Sequence, residues 1–344
     1  MFSARIAVTI FGNPWDLVWM NENNGLICAW ILDGKGGGRQ VGWDEANAFQ
    51  PSGSSWLWLH FDYSSPVVQD WLFEHSGLSE LTVEALKQTE TRPRVVPADG
   101  GLMMFLRAVN LNPGAEPDDM VSARLWVGER RVISLRQRRL VSVDDLRAAL
   151  AAGKGPRSSG EFLTMFVDGL LDRIDHVVEV IYGHIDDLEA PVQPATIPQQ
   201  RAQLAEMRRQ AIALRRFLAP QREALNRLSA ENSQLLNEES RLQLREHFDR
   251  LTRIIEDLDA ARERAAVAQE SLASQMAEQT NQRMFLLSII AAIFLPLSFA
   301  TGLLGINVGG IPGSESPLGF AVVVVLLLVL GAGLWIYFHS RHWF

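Results

Sequence analysis

Two uncharged apolar runs close the chain, and they constrain its fold more than any other feature. Met284–Ile306 and Leu318–Phe338 each approach or exceed the roughly 20 residues a helix needs to cross a hydrocarbon layer. After Met284 the only charged residues are Glu315 and Arg341, so 31 of the 32 basic and 39 of the 40 acidic residues come earlier. The averages, 47% hydrophobic and a net charge of −8, therefore hide a polar, acidic body with an apolar end. Two successive uncharged runs are hard to bury in a soluble fold. They predict a membrane hairpin with both termini on the side of the body. The loop at 307–317 holds no Lys or Arg, whereas Arg283 and Arg341 flank the opposite ends. That asymmetry predicts cytoplasmic N- and C-termini, with Trp335, Tyr337 and Trp343 at the inner interface.

The body reads in two parts. Residues 1–153 predict a mixed α/β domain. Its strands are expected at Ile6–Phe11, Leu26–Leu32, Trp56–Asp62, Gly101–Asn110, Ala123–Val127 and Val132–Arg136. Gly128-Glu129-Arg130 suggests a hairpin turn. Helices are expected at Pro66–His75, Glu80–Gln88 and Val143–Ala152, the last capped by Ser142 and stopped by Gly153. Gly34-Lys-Gly-Gly-Gly-Arg-Gln40 lacks the spacing and Lys-Ser/Thr ending of a phosphate loop and reads as a turn.

Residues 160–283 change to long helices. An apolar stripe runs from Phe162 to Ile181. Pro191, Pro194 and Pro198 mark a hairpin tip, and a second helix covers about 199–228, kinked or ended early by Pro220. A third begins near Glu238 and meets no Gly or Pro until Pro296. At about 1.5 Å per residue, its ~65 residues make a rod near 100 Å. Most of that length must lie outside any bilayer. The expected order is therefore body, stalk, first span at 284–306, outer loop at 307–317, second span at 318–338 and a tail at 339–344.

Acidic balance argues against nucleic acid as a partner, since phosphate contacts need clustered Lys and Arg. It suits attraction of cations. Cys28 is the single cysteine, which excludes an intrachain disulfide and fits a reducing compartment. The N-terminus shows no signal-peptide pattern. No nucleophile–base arrangement stands out, His60 reads as structural, and no enzymatic activity or resident cofactor is expected.

One hairpin cannot enclose an aqueous path. Either the spans merely anchor the body, or several copies assemble. The first span favours assembly, because small residues let membrane helices approach closely. Heptad positions Glu270, Ala277, Met284, Ala291 and Ser298 share one face if the helices supercoil. Thr280, Leu287 and Leu295 interleave with them, and Thr301 lies near the outer end. Hydroxyls here either line a pore or bond back to their own helix, and for Ser288 the back-bond is preferred.

These residues resemble the CorA-like divalent-cation transporters. The resemblance rests on an α/β domain, a stalk helix running into the first of two terminal spans, and Gly305-Ile306-Asn307 at that span's end. Thr91-Arg92-Pro93-Arg94 resembles an Arg-Pro element of the same proteins. Ile306 where Met is usual, the glycine-rich 308–313 and the lysine-free tail are similar to the ZntB zinc-transporter branch. The resemblance implies an α+β membrane protein, a funnel-shaped homopentamer in a bacterial inner membrane. It also implies that the first span lines the pore and that zinc is the cargo, taken up with proton coupling. A Mg2+, Co2+ or Ni2+ channel of the same fold is the alternative, and a non-conducting anchored sensor is a second.

Dry zinc asks for Cys and His at tetrahedral spacing, and neither span carries them. Asn307 is a neutral carboxamide that both donates and accepts. A ring of Asn307 with the Gly305 and Ile306 carbonyls suits a hydrated cation. Glu315 either gathers cations at the outer mouth or is a solvated loop acid. His176, His184, Asp186 and Asp187, on an acidic helix, either hold cytosolic metal or form a solvated face. His339 and His342 are candidates for weak metal or proton contact at the inner mouth.

Overall fold

Trp56-Leu-Trp-Leu-His-Phe-Asp62 alternates as a strand should, yet every residue of it except Asp62 is buried. A strand buried on both faces belongs at the centre of a covered sheet. The computed structural model describes residues 24–89, 91–189, 196–231, 233–306 and 316–340. The strand expected at Ile6–Phe11 lies outside them. The chain divides into two units, one ending at Gln269 and the other beginning at Glu270.

In chain order the elements are β1 (Leu26–Leu32), β2 (Gly38–Val41), α1 (Trp43–Ala48), β3 (Trp56–Asp62), α2 (Pro66–Glu74), α3 (Glu80–Lys87), β4 (Arg94–Ala98) and β5 (Gly101–Ala108). There follow β6 (Val121–Val127), β7 (Arg131–Arg136), α4 (Val141–Ala151), α5 (Ser159–Glu189), α6 (Ile197–Ala230), α7 (Glu238–Leu304) and α8 (Gly319–Ser340). The seven strands form one sheet in the order β2-β1-β3-β7-β6-β5-β4. Among these pairings only β3–β7 is parallel.

Each face of β3 has its own core. On one side Leu57, Leu59 and Phe61 join a cluster with Val68, Trp71, Leu72, Val83 and Leu86 of α2 and α3. Phe61 and Trp71 rings are 5.0 Å apart. On the other side Trp56 and Trp58 meet Phe162 of α5, at 6.1 and 5.1 Å between ring centres.

Several local expectations are corrected. Ser142 is not the cap of α4: the helix starts at Val141, and Ser142 is buried inside it. Within the glycine-rich 34–40 stretch only the first part turns, and Gly38 onward forms β2. Pro220 does not end its helix, since α6 runs through it to Ala230.

Candidate functional site

From Met284 onward α7 has no charge, so its faces differ only in what they touch. Ile289 is buried, and Ala292, Ile293, Pro296, Leu297 and Ala300 are half-buried. They recur at steps of three and four, which is one face of a helix. On α8 the matching half-buried row is Gly319, Val323, Leu327, Gly331, Leu334 and Phe338. A Cβ on Gly331 would lie 3.7 Å from Leu297 Cδ1. At about 100° per residue, Met284, Leu287, Ala291, Leu295 and Ser298 fall on the opposite side of α7, about half a turn from that seam. All five are exposed in the single chain. Thr280, Thr301 and Gly305 extend the same exposed half.

The hydroxyls along α7 partly serve its own backbone. Thr280 Oγ1 donates to Met276 O at 2.9 Å, Ser288 Oγ to Met284 O at 2.9 Å and Thr301 Oγ1 to Ser298 O at 3.0 Å. Each oxygen keeps lone pairs to offer outward. The Gly305 amide closes the last turn on Thr301 O and Gly302 O. Asn307, Glu315 and His342 lie outside the described residues. His339 stacks flat on Trp335, 5.3 Å between ring centres.

The acidic helix is engaged elsewhere. Arg250 of α7 holds Asp172 at 2.6 Å and Asp175 at 2.9 Å. Arg264 holds Asp186 and Glu189 and lies 4.7 Å over the Tyr182 ring. Burial works against the Arg250 charge, but hydrogen bonds to Asp175 and Asp172 outweigh it and raise its pKa. The Glu189 carboxylate raises that of Arg264. His176 and Asp187 are exposed and His184 is half-buried. Among the described residues no three His, Cys, Asp or Glu side chains gather where one ion could be held. His176, His184, Asp186 and Asp187 are thus not brought together, because Arg264 has taken Asp186.

Glu270 is exposed on α7. The same seven-residue step places Asp249, Glu256 and Glu263 before it, also exposed and without an ion pair among the described residues. The heptad spacing that places Glu270 is the sequence signal for the three acids before it.

Cys28, His60 and Ser134 occupy matched positions on β1, β3 and β7. The His60 Nδ1 is 2.8 Å from Ser134 Oγ, which also accepts from Trp58 Nε1 at 2.8 Å. All three are buried. Burial pushes the Cys28 thiol up to about 12 and holds the His60 imidazole well below its usual value. The row is a buried part of the core in which His60 Nδ1 is paired and His60 Nε2 has no partner among the described residues.

The class this architecture defines is an α/β body joined, through one 67-residue helix, to a terminal pair of helices long and apolar enough to cross a membrane. The profile of the CorA-like Mg2+ transporter proteins matches residues 53–340, and the chain belongs to that family. It is 42% identical over 325 residues to the divalent cation transporter CmaX of Pseudomonas aeruginosa, covering 94% of this chain and 98% of that one. It is 38% identical over 317 residues to the zinc transport protein ZntB of Yersinia enterocolitica, covering 92% and 95%. The solved structure of full-length CmaX superposes with a TM-score of 0.81 at 40% identity, over 94% of this chain and 100% of the other. The complete CorA magnesium transporter of Methanocaldococcus jannaschii gives 0.76 at 16% identity, over 92% and 98%, and shows the fold alone.

Proposed function

We propose that this chain transports divalent cations, zinc foremost, across a bacterial inner membrane as a homopentamer with cytoplasmic termini. The observation that carries the reading is the exposed face of α7. Met284, Leu287, Ala291, Leu295 and Ser298 turn away from the α8 seam and lead to Gly305-Ile306-Asn307. A lipid-facing anchor asks only for bulky apolar residues, whereas this face carries small or hydroxylated ones at Ala291 and Ser298, which suit close packing between copies. Five copies around an axis would bring it to the centre, small and hydroxylated at several levels. Stripping a dication of water in an apolar pore is costly. With no Cys or His on this face, the ion passes hydrated, its waters meeting Ser298, Thr301 and finally an Asn307 ring. The full-length similarity to CmaX and to ZntB supports both the cation class and zinc. No enzymatic step and no resident cofactor belong to this reading.

The test is metal flux into liposomes carrying the purified chain, comparing zinc, magnesium and cobalt with and without a pH gradient. Zinc flux above protein-free vesicles, lost in Asn307→Ala while the assembly persists, is the expected result. Assembled protein that moves none of the three metals overturns transport. Magnesium or cobalt moving in preference to zinc overturns the cargo.

A further inference from the structure

A half-open cleft of about 530 Å³ lies at the end of the sheet where β6 turns into β7. Its size falls within the ~300–1,000 Å³ of small-molecule sites. Residues of α1, α2 and the β6–β7 turn line it, with Leu57 and Leu59 of β3. Two of the lining side chains are indoles, and both are fixed. Trp71 Nε1 donates to Asn47 Oδ1 at 2.7 Å, and Trp126 Nε1 donates to Ala98 O at 3.0 Å. Gly128 makes room for the second ring, since a Cβ there would come within 2.5 Å of Trp126 Cη2. With their N–H groups occupied, the rings offer a ligand apolar surface alone. Rings fixed beforehand lose little freedom when a ligand arrives.

Arg131 supplies charge at the same cleft, where it is half-buried. Its guanidinium donates to Ser76 O and lies 5.5 Å over the Trp126 ring. Arg130, next to it, has Glu129 at 3.7 Å. Arg131 has no carboxylate partner among the described residues, and burial works against its charge. A partly desolvated cation without a counter-charge is costly, and an anion that enters the cleft relieves that cost. We propose that this cleft binds a small aromatic carboxylate, its ring against Trp71 and Trp126 and its carboxylate on Arg131. A monoanion matches one unpaired charge, whereas a phosphate monoester would bring nearly two. The planar guanidinium suits the planar carboxylate. The cleft lies wholly in the unit that ends at Gln269, so the site does not depend on the transport reading.

The experiment is calorimetric titration of the full chain in lipid nanodiscs with naphthoate, with protein-free discs subtracted because naphthoate also enters lipid. Saturable binding of one naphthoate per chain is the expected result. Naphthamide, the neutral counterpart, should bind roughly tenfold more weakly or worse, the loss that one charge-assisted contact gives. Arg131→Gln should weaken naphthoate by a similar factor. Pro51→Trp, on the exposed rim of the cleft, should do so by filling it. If Arg131→Gln does not fold, Pro51→Trp decides alone. No saturable binding beyond that of empty discs overturns the site. Naphthamide binding as well as naphthoate, or binding unmoved by both variants, overturns the assignment to Arg131 and this cleft. Adenosine monophosphate binding more tightly than naphthoate overturns the monoanion. Binding is read without metal flux, so its failure and a failure of transport are separate results.

Discussion

Gly331 of α8 lies against Leu297 of α7, so close that a methyl group at 331 would sit 3.7 Å from Leu297 Cδ1. That contact belongs to the seam that decides which side of α7 is left open. Neighbouring alanines fall on opposite sides of the division: Ala291 is exposed and Ala292 half-buried. Ala291→Phe should leave folded, assembled protein but cut zinc flux tenfold or more, equivalent to about 1.4 kcal/mol of barrier. Ala292→Phe overpacks the seam and should cost about 1–3 kcal/mol of stability. Flux and thermal unfolding of the two variants separate these outcomes. Equal behaviour would refute the assignment of faces.

Arg250 is the guanidinium placed among Asp168, Asp172 and Asp175. Its side chain is 26% exposed, between the surface and buried regimes. Arg250→Met should therefore destabilise by about 1–3 kcal/mol, more than an exposed pair and less than a fully buried one. Asp172→Asn, at a site 57% exposed, should cost under about 1 kcal/mol. Denaturant titration of both variants checks the order, and the reverse order would show that α5 is held by packing alone.

Much of this is legible in the sequence alone. Leu26–Leu32 and Trp56–Asp62 stood out as β-branched and aromatic runs, and they are β1 and β3. What escaped was local chemistry that a neighbour overrides. The strand Arg94–Ala98 contains Pro97, which discourages a strand unless it lies at an edge, and β4 is an edge. The Asp99-Gly100 turn, with φ of 51° and 71°, was its real signature. Trp43–Ala48 is six residues, too short for a period to show. Pro220 reads as a kink or an early end, but Leu214, Leu218, Leu225 and Leu228 bury α6 on both sides of it. In the candidate site the α8 face was unreadable, since Gly319–Ser340 is apolar all round and offers no contrast. The acids of α5 looked free because Arg250 and Arg264, their partners, lie about seventy-five residues away.

Burial keeps the Cys28 thiol protonated to about 12, against an ordinary value of 9.0. The folded state thus holds a proton that the unfolded state releases. Stability from this residue is present below about 9 and is lost as pH rises through the folded value. Maleimide should not label the native chain at pH 8 and should label it fully in denaturant. Cys28→Ala should flatten the alkaline limb of a stability–pH curve. Rapid native labelling, or an unchanged alkaline limb, would mean that the thiol is open to solvent.

Asp249, Glu256, Glu263 and Glu270 are spaced seven residues apart on α7, about 10.5 Å per step. All four are exposed. The screening length at 0.15 M salt is about 8 Å. The rungs therefore scarcely repel one another along the helix, yet a cation moving beside it always has a carboxylate within one screening length. Such a series raises local cation concentration without binding any ion tightly. Glu256→Gln with Glu263→Gln should lower zinc flux several-fold at low metal and low ionic strength. The deficit should shrink toward nothing at saturating zinc or at high salt, because capture rather than translocation is altered. Flux that matches wild type at every salt concentration would make the acids an ordinary solvated face; a deficit that persists at saturation would place them in the translocation step instead.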